Sequence, residues 1–206
     1  MLVIRAFAKS YHHERIVSIE ALSLGPGTYL FKGDNGTGKT TLFKCLAGIS
    51  PCTGEISLQG TSLHQDPIAY RYYVNFAEAE PLYPEFLTSR DIMRFVGKTK
   101  NSTEERLHYY CQKLGIEWFY EKSCGTYSSG MLKKLSLAIA FLGEPKMIIL
   151  DEPLITLDDV TRHQLFDLIK EKKETIFLLS SHQSIEHRLL GITNTFKIEN
   201  KTVIPE

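Results

Sequence analysis

The segment from Gly33 to Thr41 carries the most specific chemistry in this sequence. It reads GDNGTGKTT and fits the pattern G-x-x-x-x-G-K-[ST] of a phosphate-binding loop. Its glycines permit positive φ and leave no Cβ between the backbone and a phosphate, so successive N–H groups can curl around the anion. We expect Lys39 to add its charge at the start of a helix and the Thr40 hydroxyl to bind Mg²⁺. The residues expected to contact the phosphates are Gly33, Asp34, Asn35, Gly36, Thr37, Gly38, Lys39, Thr40 and Thr41.

A second stretch places two carboxylates directly after an apolar run. The run from Lys146 to Leu150 is typical of a central parallel strand, and Asp151 and Glu152 follow it. The first carboxylate can hold Mg²⁺, directly or through water, and the second can orient and deprotonate an attacking water. Alone, such a pair is also compatible with a solvated turn. Together with the phosphate-binding loop, it predicts nucleotide hydrolysis.

The elements that must position these groups alternate between strands and helices. Thr28 to Lys32 is a predicted strand before the loop, Thr41 to Ala47 a helix after it, and Thr175 to Ser180 another buried strand. This alternation predicts an α/β fold, in which ligands bind beyond the carboxyl ends of parallel strands. Further predicted elements are strands at Met1–Ala8, Val17–Glu20, Glu55–Leu58 and Tyr70–Ala77, helices at Asp159–Lys172 and Ser184–Leu190, and a hairpin at Thr195–Ile204 that turns at Asn200-Lys201.

The hydrophobic period becomes helical between Pro84 and Gly143. Two capping-box patterns, Thr88 to Asp91 and Ser102 to Glu105, precede apolar residues at helical spacing, and Ser129 to Leu142 is a third predicted helix. We therefore expect a mostly helical insertion between two strands of the core.

Composition limits the classes of function. The chain has 206 residues, with 24 Lys and Arg against 24 Asp and Glu, and this neutral balance without a basic run argues against a nucleic-acid partner. The four cysteines lack a metal-binding spacing and are expected to be free thiols in a reducing cytosol. No targeting segment is visible, and the apolar run Leu135 to Leu142 is too short to span a bilayer.

Four further segments complete a recognisable order of motifs. Tyr11 lies ahead of the phosphate-binding loop, Tyr127-Ser128-Ser129-Gly130-Met131 precedes a predicted helix, Leu157-Asp158 follows the paired carboxylates, and His182 follows Ser180-Ser181. With the loop and with Asp151-Glu152, they make nearly the whole chain resemble the nucleotide-binding subunit of an ABC transporter.

The resemblance implies a role for each motif. Tyr11 would stack on adenine, Ser128, Ser129 and Gly130 would form the signature that contacts ATP, and Asp158 would lie in the loop that crosses to a partner subunit. Asp151 would hold Mg²⁺, whereas Glu152, His182 and Lys39 would be catalytic, with His182 sensing the γ-phosphate. An isolated tyrosine, or a single histidine after a strand, is otherwise unremarkable.

Two departures from the family pattern affect these expectations. Glu78 stands where a glutamine is usual; a carboxylate could still bind Mg²⁺, but a shift of one residue in the alignment would make Glu78 an ordinary surface residue. The signature has Ser129 in place of its first glycine and Met131 in place of the usual glutamine. The helix N-terminus still favours an anion there.

The resemblance also implies an architecture and an assembly. It predicts a P-loop NTPase core with a mostly parallel sheet, an N-terminal antiparallel β subdomain and an inserted helical subdomain. Residues 1–206 would form a single ABC-type ATPase domain, with the core at about 1–83 and 144–206 and the helical subdomain at about 84–143. ATP and Mg²⁺ would bind between two head-to-tail cassettes, which are identical or different. The cassettes would lie on the cytoplasmic face of a membrane-embedded transporter subunit and drive the movement of its substrate.

Three alternatives remain at this point. Soluble ABC-type ATPases of DNA repair or ribosomes typically carry coiled coils or two cassettes, for which this chain has no room. A GTPase or small kinase would leave the signature and His182 unexplained, and Asn200-Lys201-Thr202-Val203 lacks the aspartate of N-K-x-D. A regulatory cassette that binds ATP with little hydrolysis is opposed by Glu152 and His182, whereas Glu78 and Ser129 keep this alternative open.

Overall fold

The computed structural model describes residues 1–182 and 190–206. The strands are β1 (Leu2–Tyr11), β2 (Glu14–Leu24), β3 (Gly27–Lys32), β4 (Thr53–Leu58), β5 (Thr61–Ser62), β6 (Val74–Ala77), β7 (Met147–Leu150), β8 (Ile176–Ser181), β9 (Ile192–Glu199) and β10 (Thr202–Pro205). The helices are α1 (Lys39–Leu46), α2 (Pro67–Tyr72), α3 (Ser89–Thr99), α4 (Glu104–Lys113), α5 (Ser129–Ala140) and α6 (Asp159–Glu171), with short 3₁₀ turns at Glu117–Phe119 and Cys124–Thr126.

These strands form one mixed sheet in the order β5-β4-β1-β2-β10-β9-β3-β8-β7-β6. The half from β9 to β6 is parallel, whereas β5, β4, β1 and β2 pair in antiparallel fashion at the other end. The expected α/β class, with a parallel core and N-terminal antiparallel strands, is therefore confirmed. The parallel order places the carboxyl ends of β3, β8, β7 and β6 along one edge, where the phosphate-binding loop also begins.

The central strands are apolar on both faces because both faces are covered. In β3, Leu30 belongs to a buried cluster that includes Leu135 of α5 and Leu165 of α6. Its neighbour Phe31 belongs to a second cluster that includes Leu42 of α1, on the opposite face. This two-sided burial is the physical reason for the unbroken apolar run that the sequence displays in β7.

Most predicted elements agree with the structure, but one strand is shorter than expected. The segment from Tyr70 to Ala77 is divided between the end of α2 and strand β6, so the expected strand is wrong in its first half. Pro67 is favourable in the first turn of α2, and the Asp66 side chain accepts a hydrogen bond from the Ala69 N–H, which begins the helix. Tyr70 and Tyr72 therefore lie on a helix and not on a strand.

The first helix cap of the insertion is confirmed and the second is displaced by one residue. Thr88 and Asp91 form the predicted capping box at the start of α3. Helix α4, however, is capped by Thr103, which accepts a hydrogen bond from the Arg106 N–H. The hydroxyl of Ser102 is buried without a partner, so the prediction that Ser102 caps this helix is wrong.

The predicted hairpin turn at Asn200-Lys201 is confirmed, and β1 and β2 are joined by a turn of the same kind. His12 and His13 have positive φ between β1 and β2, as do Asn200 and Lys201 between β9 and β10. The four cysteines are free thiols, three of them buried. The predicted helix from Ser184 to Leu190 lies almost entirely outside the described residues.

Helices α3, α4 and α5 are inserted between β6 and β7, which pair directly in the sheet. Helix α5 contacts β6 and β7, α3 packs on α5, and α4 packs on α3, so that Ile92, Leu107 and Ile148 belong to one buried cluster. The proposed boundaries of a helical subdomain near residues 84 and 143 stay a prediction. Within the part of the chain that the structure describes, no helix has the length and apolarity needed to cross a membrane.

Candidate active site

The phosphate-binding loop joins the end of β3 to the start of α1. Gly36 and Gly38 have φ of 82° and 100°, a region that residues with a Cβ rarely occupy. Gly33 serves a different purpose, because a Cβ there would lie 2.7 Å from the Thr37 Oγ1 and 3.2 Å from the Ile198 carbonyl oxygen. The loop thus needs two glycines for its backbone path and a third for close packing.

The amine of Lys39 lies inside the loop. Its Nζ donates hydrogen bonds to the carbonyl oxygens of Gly33 at 2.7 Å and Asp34 at 3.1 Å. The side chain is 7% exposed and its Nζ lies 4.0 Å from Glu152 Oε1. The loop therefore holds a positive charge at the N-terminus of α1, in the position expected for binding a phosphate.

Thr40 and Asp151 bring the loop and the end of β7 together. The Thr40 hydroxyl donates to Asp151 Oδ2 at 2.6 Å, and Ser180 at the end of β8 donates to Asp151 Oδ1 at 2.5 Å. Asp151 is fully buried. Both carboxylate oxygens are thus engaged, as a buried ionised carboxylate requires.

Ser180 is a functional residue that the sequence analysis did not identify. Its Oγ also accepts a hydrogen bond from the Glu152 N–H at 2.8 Å, so one hydroxyl orients both residues of the acidic pair. A signal was available, because β8 was predicted as a buried strand and neighbouring parallel strands end at the same edge. The pairing of β7 with β8 was not predictable from that pattern alone.

Glu152 and His182 form a second pair at this edge. His182 Nδ1 lies 3.1 Å from Glu152 Oε1, and the glutamate side chain is 12% exposed. Glu152 has a φ of 44°, a left-handed conformation that costs about 1 kcal/mol for a residue with a Cβ. This unfavourable backbone conformation thus occurs at a residue that lines the cleft described below.

A cleft of about 590 Å³ is lined by half of the predicted site residues. Those in its lining are Tyr11, Asn35, Gly36, Gly38, Lys39, Thr40, Thr41, Glu152 and His182. Ile16, Ala79, Glu80 and Ile155 also line it and were not predicted. Gly33, Asp34 and Thr37 lie on the other side of the loop, against a neighbouring cavity of about 450 Å³ that His182 also borders.

Tyr11 stands at the outer end of the cleft. It is 47% exposed, and Lys9 Nζ lies 4.5 Å from the centroid of its ring. Lys9 in turn donates to the Pro51 carbonyl oxygen at 2.8 Å, so the lysine fixes one side of the ring. Stacking on a ligand requires an accessible aromatic face, and the exposure of Tyr11 agrees with that requirement.

Glu78 does not line the cleft. Its Oε1 lies 3.6 Å from Nζ of Lys44, on the outward side of α1, and both side chains are more than a third exposed. Glu80, two residues further along, is the carboxylate of this loop that borders the cleft. The metal-binding role assigned to Glu78 stays a prediction, and of the two carboxylates only Glu80 borders the cleft.

The signature residues lie at the start of α5, outside the lining of this cleft. Ser128 is the N-cap and its Oγ accepts from the Met131 N–H at 3.3 Å, while the Met131 Sδ accepts from the Ser128 N–H at 3.5 Å. Ser128 and Ser129 are exposed. A Cβ on Gly130 would lie 3.0 Å from the Thr156 carbonyl oxygen, so this glycine permits close contact with the loop before α6.

Asp158 connects that loop to the signature helix. It caps α6 by accepting from the Thr161 N–H at 2.8 Å, and its Oδ2 lies 2.7 Å from Lys134 Nζ. The hydrogen bond from Lys134 and the bond from the Thr161 backbone hold the pKa of this carboxyl well below its usual range. Asp158, like the signature, is absent from the lining of the cleft among the described residues.

Lys133 is a second residue that the sequence analysis missed. Although only 1% exposed, its Nζ donates to the carbonyl oxygens of Glu78, Ala79 and Asp151 at 2.8, 3.2 and 2.8 Å. Burial lowers the pKa of its amine to about 8, against the opposing charges of Asp151 and Glu152. The signal in the sequence was a pair of adjacent lysines, Lys133 and Lys134, within an otherwise apolar predicted helix.

The arrangement defines a class of protein. A glycine-rich loop with a buried lysine, a threonine bonded to a buried aspartate, and a glutamate beside a histidine together form a phosphate-binding centre at the carboxyl edge of a parallel sheet. Such a centre belongs to a P-loop nucleotide-binding protein. The family model for ABC transporters matches residues 21–155, and the chain belongs to that family.

Curated relatives agree with this membership. The chain is 32% identical over 189 residues to an uncharacterised ABC transporter ATP-binding protein, YxlF, of Bacillus subtilis, covering 88% of this chain and 62% of the relative. It is 29% identical over 198 residues to the human phospholipid-transporting ATPase ABCA7, covering 90% of this chain and 9% of that protein. The chain thus spans only part of the length of these relatives.

Solved structures share the fold. An ATP-binding subunit of an ABC transporter superimposes with a TM-score of 0.90 at 24% identity, over 100% of this chain and 89% of that one. An ATP-binding cassette in a dimeric, post-hydrolysis state with bound ADP and Pi superimposes with a TM-score of 0.85 at 16% identity, over 100% and 98%. The architecture is accordingly that of an ABC nucleotide-binding domain.

Proposed function

We propose that this chain hydrolyses ATP as one of two head-to-tail cassettes and thereby drives movement of a substrate through a separate membrane-embedded subunit. One observation carries the proposal: Lys39, Thr40, Glu152 and His182 border the same cleft, and Asp151 lies directly beneath it through its bond to Thr40. These groups supply phosphate binding, metal binding and a base within one space.

The residues present fit a bound Mg²⁺. Thr40 Oγ1 and Asp151 Oδ2 are hard oxygen donors 2.6 Å apart, beside the loop that would hold the phosphates. Within the described residues there is no group of three or more His, Cys, Asp or Glu that could hold a metal. This agrees with Mg²⁺, which commonly uses one or two protein oxygens together with substrate phosphates and water. Thr40 and Asp151 would hold the ion, which would neutralise phosphate charge.

The chain's own groups would perform the remaining steps. Lys39 would exchange its bonds to the loop carbonyls for bonds to the β- and γ-phosphates. Glu152 would accept a proton from the attacking water, and its near-buried position keeps it close to the lysine. His182, within 3.1 Å of that carboxylate, would orient it and contact the γ-phosphate.

A second cassette would complete the site. Ser128, Ser129 and Gly130 lie outside the cleft of their own chain, and the two serines are exposed at the N-terminus of a twelve-residue helix. Exposed backbone N–H groups at a helix start favour an anion. In a head-to-tail pair they would face the γ-phosphate held by the other cassette, with Asp158 at the crossing loop.

An exposed apolar surface supports docking to a membrane-embedded partner. Leu82, Phe86, Phe95 and Trp118 are 88%, 79%, 70% and 64% exposed, all between β6 and α5. Contiguous exposed apolar patches are typical of interaction sites, and we propose that these four side chains contribute to one. The cassette would therefore lie peripherally on the cytoplasmic face of the membrane. Cross-linking that places the partner on the opposite face, near β5, would contradict this part of the proposal.

A complementation experiment tests the composite site. Lys39→Met damages the phosphate-binding loop and Ser128→Arg blocks the signature, so each purified variant should lose ATP turnover. A mixture should recover about a quarter of wild-type activity, because one site of each mixed pair combines an intact loop with an intact signature. Wild-type turnover per molecule should also rise with protein concentration.

The same measurements separate the alternatives. A regulatory cassette would bind ATP without Mg²⁺-dependent turnover in any mixture. A cassette that works alone would show turnover independent of concentration and no recovery on mixing. A soluble ABC-type ATPase would hydrolyse ATP as a pair yet fail to co-purify with a membrane subunit from detergent-solubilised membranes.

A further inference from the structure

We propose that Lys133 is a positioning residue that connects the signature helix to the acidic pair Asp151-Glu152 of its own chain. The inference rests on the proposed function and adds a residue to it. It follows from three hydrogen bonds made by one buried amine, to the carbonyl oxygens of Glu78, Ala79 and Asp151. None of these acceptors belongs to the helix that carries the lysine.

The acceptors belong to two segments that border the cleft. Glu78 and Ala79 follow β6, and Ala79 lines the cleft itself. Asp151 follows β7, and its carboxylate is bonded to Thr40. Lysine has three N–H donors, so a single side chain is fully satisfied by these three carbonyls. Its amine therefore ties the ends of two neighbouring parallel strands to one point on α5.

The lysine lies one turn inside the helix that begins with the signature. Ser128 caps α5 and Lys133 is five residues further on. The opposite end of the same helix is held by a neutral side chain, because Asn75 donates to the carbonyl oxygens of Ala140 and Leu142 at 2.8 Å each. The end near the cleft is thus anchored by a charge and the far end by an amide.

Burying a charged amine costs desolvation free energy, which an apolar side chain in the same place would not. A well-packed apolar side chain is often as stabilising as a buried ion, whereas the ion imposes directional bonds. The directional bonds here fix the Asp151 carbonyl, and Glu152 is the next residue. Any displacement of the N-terminal turns of α5 would break these bonds or move both segments with it. In a head-to-tail pair, contact of the signature with the other cassette would therefore affect the positions of Asp151 and Glu152 in its own chain.

Lys100 offers a matched control within the same protein. Its Nζ also donates to three backbone carbonyls, those of Arg71, Tyr72 and Val74, at 2.7, 2.9 and 3.1 Å. Burial likewise lowers the pKa of this amine to about 8. Its acceptors lie at the far end of β6 and do not line the cleft. Loss of either lysine should weaken the fold, but only one should alter the site.

The experiment compares Lys133→Met, Lys133→Arg and Lys100→Met with the wild type. Lys133→Met should lower kcat about tenfold or more while KM for Mg·ATP changes by less than about threefold, because the loop that binds phosphate is intact. Lys133→Arg should recover part of the loss by restoring a charged donor. Lys100→Met should lower Tm to a similar extent and leave kcat within about twofold.

Hydrogen exchange provides a readout that does not depend on turnover. Amides of residues 78–80 and 151–152 should exchange faster in Lys133→Met, and those of 71–74 in Lys100→Met. Equal kcat in the two methionine variants, or unchanged exchange at 151–152, would overturn the inference. If Lys133→Met does not fold, Lys133→Gln, which keeps a side-chain donor, replaces it. A wild-type chain without ATP turnover would overturn the proposed function instead, and exchange alone would then decide whether Lys133 positions the acidic pair.

Discussion

The hydroxyl of Thr40 donates to Oδ2 of Asp151 at 2.6 Å, across 111 positions of the chain. Thr40 belongs to the phosphate-binding loop and is the second residue of α1, and Asp151 directly follows the central strand β7. The bond joins the two motifs on which the interpretation of this protein as an ATPase depends. We propose that these two oxygens are ligands of one Mg²⁺ ion when nucleotide is bound.

Thr40→Val should therefore raise the Mg²⁺ concentration needed for half-maximal ATP turnover by about tenfold, since one oxygen ligand is lost. It should also lower stability by about 1 to 3 kcal/mol, because Asp151 Oδ2 remains buried without its donor. Titration of turnover with Mg²⁺ and urea unfolding measure the two effects. Thr40→Ser keeps the hydroxyl and should stay within about threefold of wild type; equal losses in both variants would refute a metal-binding role.

Lys39→Met should weaken ATP binding by about tenfold or more, because the variant loses the charge that the loop holds near the phosphates. Isothermal titration with ATP measures the change in Kd. Lys44→Met is the matched control: it lies on the same helix, pairs outward with Glu78 and does not line the cleft. Comparable weakening in the two variants would mean that general charge, and not the position of Lys39, attracts the nucleotide.

Glu152→Gln should bind ATP with a Kd within about threefold of wild type and hydrolyse it about 100-fold more slowly or worse. The amide keeps the shape of the side chain but cannot accept the water's proton. ATP should therefore trap the closed pair, which light scattering would detect as a stable dimer. Glu174→Gln, at an exposed position beyond α6, serves as control. Normal turnover of Glu152→Gln would remove this residue from the role of base.

Asp158→Asn should reduce stability at neutral pH and lose that effect in acid. The depressed pKa of Asp158 means that its charge stabilises the fold above the carboxyl's unfolded pKa, about 4, and that this contribution is lost as pH falls further. Asparagine still caps α6, so the difference reflects the bond to Lys134, worth about 0.5 kcal/mol for a half-exposed carboxylate.

Urea unfolding of wild type and Asp158→Asn at pH 7, 5 and 3 measures this difference. It should be constant between pH 7 and 5 and shrink toward pH 3. The difference in stability between wild type and Lys134→Met should show the same pH dependence, because this variant lacks the other member of the ion pair. A difference between wild type and Asp158→Asn that grows on acidification would contradict the assignment.

Local patterns predicted most elements because they reflect local causes. The apolar run of β7, the turn at Asn200 and Lys201, and the capping box at Thr88 each follow from burial, backbone freedom or hydrogen bonds within a few residues. The strand predicted from Tyr70 failed because aromatic residues fit strands and buried helices alike. Ser102 and Thr103 are both good caps, and only the packing of α4 decides between them.

The sequence by itself determined the class of chemistry in this protein. A phosphate-binding loop and an apolar strand ending in two carboxylates are each encoded by a short stretch of consecutive residues, whereas the role of His182 was implied by the family resemblance. Their types and spacing follow from the ligands that phosphate and Mg²⁺ require. The same local information indicated an α/β fold with an inserted block of helices.

Only the tertiary structure decided which of these groups touch. The order of β3, β8 and β7 in the sheet brings Ser180 against Asp151 and Glu152. The packing of α5 places Lys133 on carbonyls far away in sequence, and the path of the loop after β6 directs Glu78 outward. Contacts of this kind depend on how sheets and helices pack over the whole chain, and no local pattern of residue types encodes that geometry.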